Sequence, residues 1–178
     1  MNPFNSATIK VLILTLIIQV LSSDVLAQSD DAFTIYLVRH SEKDHTSENS
    51  SDLPLSECGE QRSKALSHFL SEVELDAIYS TDFSRTKSTA LPTANKKDIE
   101  ISLYNEQDIN SLLNHLLKKS QDALVVGHSN TTGVLAGLLV NKDVEDIELH
   151  IYDRIYQVVV CGDSRTLNLF HSNFECVK

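Results

Sequence analysis

Short apolar runs alternate with amphipathic segments along most of the chain. Runs rich in β-branched and aromatic residues predict buried strands, and apolar residues spaced three and four apart predict one-sided helices. The predicted strands span residues 33–38, 76–80, 99–103, 123–127, 154–161 and 166–170. Because strands alternate with helices, we expect an α/β fold, a three-layer α/β/α sandwich with a mostly parallel sheet. The last two strands, joined by a turn at 162–165, predict an antiparallel C-terminal addition.

The predicted helices lie between these strands. The first follows Ser56, a favourable N-cap. Its apolar face is formed by Ala65, Leu66, Phe69, Leu70 and Val73. The second spans 82–95, with a break or kink expected near Pro92, and the others span 109–117 and 130–140. In such sheets ligands bind at the carboxyl ends of the strands, so the chemistry is expected there.

An apolar run near the N-terminus predicts an export signal. Lys10 precedes a mainly apolar stretch at 11–20, and Val25 and Ala27 occupy the small-residue positions that a signal peptidase reads. The run is about eleven residues, whereas a bilayer-spanning helix needs about twenty, so an uncleaved anchor is the weaker alternative. We therefore expect a signal peptide of residues 1–27, cleavage after Ala27, a single domain of residues 28–178, and a periplasmic or secreted protein.

The net charge limits the partners of the protein. It is −10 at pH 7, and such acidity repels nucleic acid and anionic lipid at long range. We therefore expect no nucleic-acid partner, and no membrane association once the leader is removed. A phosphate pocket would have to be a local cluster of cations.

The cysteines are too few for a disulfide framework: they are Cys58, Cys161 and Cys176. In an oxidising compartment one pair can form. Cys161–Cys176 is the favoured pair because both residues lie in the C-terminal segment. The alternative is that all of them are reduced and pack as small apolar residues.

Arginine and histidine residues follow three of the predicted strands. Arg39 and His40 end the first, Arg85 lies shortly after the second, and His128 follows the most apolar one. These side chains should meet in one crevice. An imidazole can attack phosphorus to form a phosphohistidine, and a planar guanidinium matches two phosphate oxygens. The set therefore favours phosphoryl transfer.

These motifs resemble the histidine phosphatase superfamily, which has the phosphoglycerate-mutase-like fold. Its Arg-His signature appears as Val38-Arg39-His40-Ser41-Glu42-Lys43, close to the RHxEK form of small exported bacterial members. Looser matches are residues 55–63 and residues 80–90, the latter shifted by one residue before Arg85. The element around the second histidine, VVGHSN, stands intact at 125–130.

The resemblance implies a role for each residue of the crevice. His40 would be the phosphorylated nucleophile, and Arg39 and Arg85 would bind the phosphoryl oxygens. His128 would complete the pocket. Taken alone, Arg85 could equally be a surface helix residue paired with Asp82, and His128 an interior histidine bonded to backbone.

The resemblance leaves the proton donor open between two carboxylates. Glu106 and Asp108 are the candidates, and capping of the following helix is at least as good an interpretation of either. Lys43 is a candidate contact to the substrate, as is its neighbour Glu42.

The favoured function is hydrolysis of a small phosphomonoester without a metal ion or other cofactor. The sequence has no zinc-type cluster and no P-loop pattern. The alternatives are a non-enzymatic phosphate- or glycan-binding module, and a phosphohistidine-protein phosphatase or mutase if the leader is not cleaved.

Overall fold

The computed structural model describes residues 32–176. The predicted signal peptide lies outside the described residues, so its cleavage stays a prediction. Within the described part, no helix is long and apolar enough to cross a membrane.

The described strands form one mixed sheet. They are β1 (Phe33–Arg39), β2 (Ala77–Ser80), β3 (Ile101–Leu103), β4 (Ala123–Gly127), β5 (Arg154–Cys161) and β6 (Ser164–His171). Their order is β3-β2-β4-β1-β5-β6. The first four are parallel to their neighbours among themselves, whereas β5 pairs antiparallel with β1, and β6 with β5. The predicted mostly parallel sheet with an antiparallel C-terminal addition is confirmed.

Helices cover both faces of this sheet. They are α1 (Glu57–Phe69), α2 (Ser84–Lys97), α3 (Ile109–Lys119) and α4 (Thr132–Val140). Tyr36 and Val38 of β1 pack with residues of α1 and α2 in one core cluster, whereas Ile35 and Leu37 pack with residues of α3 and α4 in the other. Alternate side chains of one strand thus enter opposite layers, as the two-residue period of a strand requires.

The first helix begins as predicted but is shorter, because α1 ends at Phe69, Leu70 is its C-cap and Val73 lies beyond it. Ser56 caps α1 by accepting a backbone hydrogen bond at 3.2 Å. Leu66 and Leu70 are buried, but Phe69 is 46% exposed. Its ring contacts Phe170 of β6, because the C-terminal hairpin extends the sheet beyond the helix layer.

The second helix runs unbroken through Pro92, so the predicted break is wrong. A proline inside a helix removes a backbone hydrogen bond and costs about 3 kcal/mol. Packing of Thr89, Ala90, Thr93 and Ala94, all buried on α2, offsets that cost. In addition, the Pro92 carbonyl accepts a hydrogen bond from the Ser67 hydroxyl at 3.1 Å, which ties α2 to α1.

The disulfide joins Cys58 to Cys176, which corrects the predicted Cys161–Cys176 pair. Cys161 pairs with Ser164 beside the β5–β6 turn. Cys176 follows the other end of β6, where the tail turns back onto α1 and the Phe174 carbonyl accepts a hydrogen bond from Arg62. Antiparallel pairing therefore places Cys161 and Cys176 at opposite ends of the hairpin.

Candidate active site

The parallel pairing of β1 with β4 brings the two predicted histidines together. Arg39 lies opposite Gly127 in the register of these strands. The backbone N–H of His40 donates to the Gly127 carbonyl at 2.9 Å. The next residue on each strand is a histidine, and the ring centroids of His40 and His128 are 5.5 Å apart.

His40 is held as a neutral imidazole with one free nitrogen. Its Nδ1 lies 2.8 Å from the Ser41 carbonyl, and a carbonyl only accepts, so Nδ1 carries the proton and Nε2 keeps its lone pair. Burial, together with the positive charges of Arg39 and Arg85, lowers the pKa of His40 to about 3, against the opposing hydrogen bond to Ser41. An unprotonated Nε2 near neutral pH is what nucleophilic attack requires.

The guanidinium of Arg39 is buried, and its donors are divided between the protein and the crevice. Its Nη1 donates to the carbonyls of Glu148, Leu149 and Ile151 at 3.1, 2.9 and 2.8 Å. The ring of Tyr152 lies 4.1 Å from the guanidinium carbon. The Nε atom, in contrast, is buried without a hydrogen-bond partner. A buried cationic donor that lacks a protein acceptor fits an oxygen of an anionic ligand.

Arg85 has the same unsatisfied donor. Its Nε is also buried without a hydrogen-bond partner, and its guanidinium carbon lies 4.2 Å from the centre of the Phe83 ring. The surface pairing with Asp82 is wrong, since the Asp82 carboxylate pairs with Lys87 at 2.6 Å. Arg85 is therefore the second cation of the crevice.

Asp52 holds the start of α2 and the Arg85 side chain together. Its carboxylate accepts hydrogen bonds from the Ser84 backbone at 3.0 Å and from the Ser84 hydroxyl at 2.6 Å. It thus caps a helix whose N-cap residue, Phe83, makes no side-chain cap. One oxygen also lies 3.6 Å from Nη1 of Arg85. The pairing leaves Nε of Arg85 without a hydrogen-bond partner.

His128 is neutral for the same physical reason as His40. Burial, followed by the positive charge of Arg85, lowers the pKa of His128 to about 4. Its Nε2 lies 3.0 Å from the Thr81 hydroxyl. The alternative in which His128 is bonded only to backbone does not apply to this ring.

The two candidate proton donors occupy different environments. Glu106 is partly buried, and its negative charge opposes the lowering of the pKa of both Arg85 and His128. Asp108 is exposed, and its side chain caps α3 by accepting the Ser111 N–H at 3.0 Å. Asp108 therefore has a structural task, whereas the charge of Glu106 acts on Arg85 and His128.

Lys43 and Glu42, the two residues predicted as substrate contacts, also differ in their interactions. The Lys43 charge contributes to lowering the pKa of His128. The Glu42 carboxylate accepts Nε and Nη2 of Arg62 at 2.7 to 2.9 Å. Glu42 is therefore engaged within the protein, whereas the role of Lys43 as a substrate contact stays a prediction.

Three residues of the site were missing from the sequence prediction: Asp52, Thr81 and Tyr152. Asp52 falls in a loop without periodicity, and Tyr152 precedes β5, far along the chain from the Arg-His motif. Neither residue therefore belongs to a sequence pattern that indicates a site. Thr81 directly follows β2, and its place at a strand end was a usable signal. Among the described residues, Glu42, Cys58 and Cys176 have metal-ligand spacing, but the disulfide removes both sulfurs as ligands.

The comparisons with known proteins agree with this geometry. A sequence model described as "Histidine phosphatase superfamily (branch 1)" matches residues 35–107. No protein of curated function matches the chain by sequence. Solved structures with the same fold include a putative alpha-ribazole-5'-P phosphatase from Escherichia coli, with 15% identity, TM-score 0.66, and 82% of this chain and 99% of that chain covered.

Two further structures show how widely this fold is shared. The protein histidine phosphatase SixA, solved with tungstate, is 16% identical, with TM-score 0.65 and coverage of 79% of this chain and 97% of that chain. A mycobacterial glucosyl-3-phosphoglycerate phosphatase is 13% identical, with TM-score 0.59 and coverage of 81% and 100%. At these identities the structures establish the fold. The family model matches residues 35–107, so over that segment the chain is similar to the histidine phosphatase superfamily, and it shares the fold of these phosphatases.

The lowered pKa of His40 predicts a loss of stability on acidification. Between pH 6.5 and about 3 the unfolded chain binds a proton at His40 that the folded chain excludes, so stability falls as the pH falls through this window. Between roughly pH 7.5 and pH 5, the free energy of unfolding should fall by about 2 kcal/mol less in His40→Gln than in the parent protein. Denaturant unfolding at both pH values measures the difference.

The matched control is His68→Gln, because His68 is exposed on α1. This variant should keep the pH dependence of the parent protein. An equally steep loss of stability in His40→Gln would contradict the neutral, buried state of His40.

Proposed function

We propose that the protein hydrolyses phosphomonoesters through a phosphohistidine on His40, without a metal ion. The observation that carries the proposal is the pairing of a neutral His40 with two buried guanidinium Nε donors, of Arg39 and Arg85, that no protein acceptor satisfies. A dianionic phosphoryl group supplies the missing acceptors, and the lone pair of Nε2 supplies the nucleophile.

The reaction would proceed in two displacements at phosphorus. First, Nε2 of His40 attacks, the P–N bond forms, and the ester P–O bond breaks as the leaving oxygen takes a proton from Glu106. Second, a water molecule attacks the phosphohistidine and gives its proton to the Glu106 carboxylate, the P–N bond breaks, and phosphate leaves. Arg39 and Arg85 hold the equatorial oxygens in both steps, which is the electrostatic stabilisation that phosphoryl transfer needs.

Glu106 is the better candidate acid because it has no structural task that competes. Asp108 is already used as a helix cap, whereas Glu106 lies close enough to Arg85 and His128 to affect the pKa of each. Lys43 is proposed as a contact to the substrate, since its charge also reaches His128.

The substrate is proposed to be a small phosphorylated molecule that the protein meets outside the cytoplasm. The predicted leader at 1–27 supports export, and the Cys58–Cys176 disulfide fits an oxidising compartment. We expect N-terminal sequencing of protein from its native host to begin at Gln28. A mature form that still begins at Met1 would overturn this localisation and reopen the mutase and the phosphohistidine-protein phosphatase as alternatives.

The test of the nucleophile is to trap the intermediate. A rapid quench with a phosphorus-labelled monoester, in the presence of EDTA, should yield an acid-labile, base-stable phosphoenzyme in the parent protein. His40→Asn should show no label and no turnover, because Asn lacks a nucleophilic lone pair of this kind. His68→Asn, on the exposed face of α1, should label like the parent. Label in His40→Asn, or a base-labile phosphoester in the parent, would contradict the proposal.

The assignment of the acid is tested by the leaving group. Glu106→Gln should slow hydrolysis of alkyl phosphates by about 10²–10⁴-fold, the usual contribution of a general acid. Nitrophenyl phosphate should be affected far less, because nitrophenolate departs without a proton. Asp108→Asn is the matched control, since an asparagine can still cap α3. Equal losses with both substrates in Glu106→Gln would show that Glu106 is not the proton donor.

A further inference from the structure

One ring nitrogen of His128 is already engaged by the protein. Its Nε2 lies 3.0 Å from the Thr81 hydroxyl, which in turn lies 2.8 Å from the Thr86 hydroxyl. Thr81 and Thr86 are both fully buried. A buried chain of two hydroxyls therefore ends on the second histidine of the site.

The hydrogen-bond partners of Thr86 decide the direction of this chain. The Thr86 hydroxyl lies 2.9 Å from the Phe83 carbonyl and 3.0 Å from the Thr81 carbonyl. Both carbonyls only accept, so the single proton of Thr86 points to them. The Thr86 oxygen then accepts from the Thr81 hydroxyl, and the Thr81 oxygen accepts from an N–H at Nε2 of His128.

We propose that Thr81 is a positioning residue that fixes the proton of neutral His128 on Nε2 and leaves Nδ1 to face the transferred phosphoryl group. The inference rests on the proposed function, because the phosphoryl group is the ligand that Nδ1 would meet. It gives a residue at the end of β2 the task of fixing the tautomer of His128, which Arg39, His40 and Arg85 do not do.

This arrangement lets His128 respond to an anionic ligand without a rearrangement. When an anionic phosphoryl group binds and Nδ1 takes up a proton from water, the ring becomes a cation that donates at both nitrogens. The Nε2–H bond to Thr81 stays in place throughout. With the opposite tautomer, charging of the ring would require both threonine hydroxyls to reverse inside a closed core.

The structure also offers a control for simple packing. Thr93 is a fully buried threonine of α2 whose hydroxyl has no hydrogen-bond partner. Thr81→Val and Thr93→Val make the same isosteric change, but only the former removes a hydroxyl that contacts His128. Thr81→Ser keeps that hydroxyl and loses a methyl group.

The test combines ring tautomers with kinetics. Long-range ¹H–¹⁵N correlation spectra of the ligand-free protein near neutral pH should show His128 with its proton on Nε2, and Thr81→Val should shift the ring to a mixture of tautomers. In Thr81→Val, kcat should fall by about tenfold to a hundredfold, the scale of a misplaced catalytic group. Its KM should change little. Thr81→Ser and Thr93→Val should stay within about threefold of the parent.

The proposal is overturned by a parent protein whose His128 carries its proton on Nδ1. It is equally overturned if Thr81→Val retains the parent's kcat and tautomer. The spectra need no turnover, so they report on Thr81 even if no phosphohistidine is trapped, and the two proposals can fail separately.

Discussion

The parallel pairing of β1 with β4 is the constraint on which the rest of the site depends. It fixes His40 and His128 at the ends of adjacent strands. The hydrogen bond from the His40 N–H to the Gly127 carbonyl sets their relative position along the strand direction. Gly127 makes this pairing possible, because a Cβ there would lie 2.9 Å from the hydroxyls of both Thr131 and Tyr104. A larger residue would have to displace side chains that pack beneath the carboxyl edge of the sheet, and the two rings would no longer meet.

Burial then sets the chemistry of these rings. Two imidazoles placed beside Arg39 and Arg85 can stay in a closed crevice only as neutral groups, since each added proton would be desolvated and repelled by the cations. The same cations have buried donors without acceptors. The ligand-free site is thus a local positive region in a protein of net charge −10, and an incoming phosphate would relieve an imbalance that the fold itself maintains.

Loops that follow different elements converge to hold the two arginines. Carbonyls of Glu148, Leu149 and Ile151 fix one side of Arg39, and the Asp52 carboxylate fixes Arg85 through the start of α2. Behind the Arg-His motif, Arg62 binds Glu42 and the C-terminal tail, which the disulfide to Cys58 fastens. Segments far apart in the chain thereby order one loop beside His40.

The sequence by itself determined the layers, the parallel and antiparallel parts of the sheet, and the Arg and His residues that meet at its carboxyl edge. Local periodicity fixes strands and helices, and β4 and β5 have the predicted bounds because their apolar runs end abruptly at polar residues. Tertiary structure decided what periodicity does not encode: Pro92 inside a continuous helix, Phe69 on the surface, Cys58 as the partner of Cys176, and Asp52, Thr81 and Tyr152 around the site. Each of these depends on contacts between residues distant in the chain, where packing and hydrogen bonding outweigh local preference.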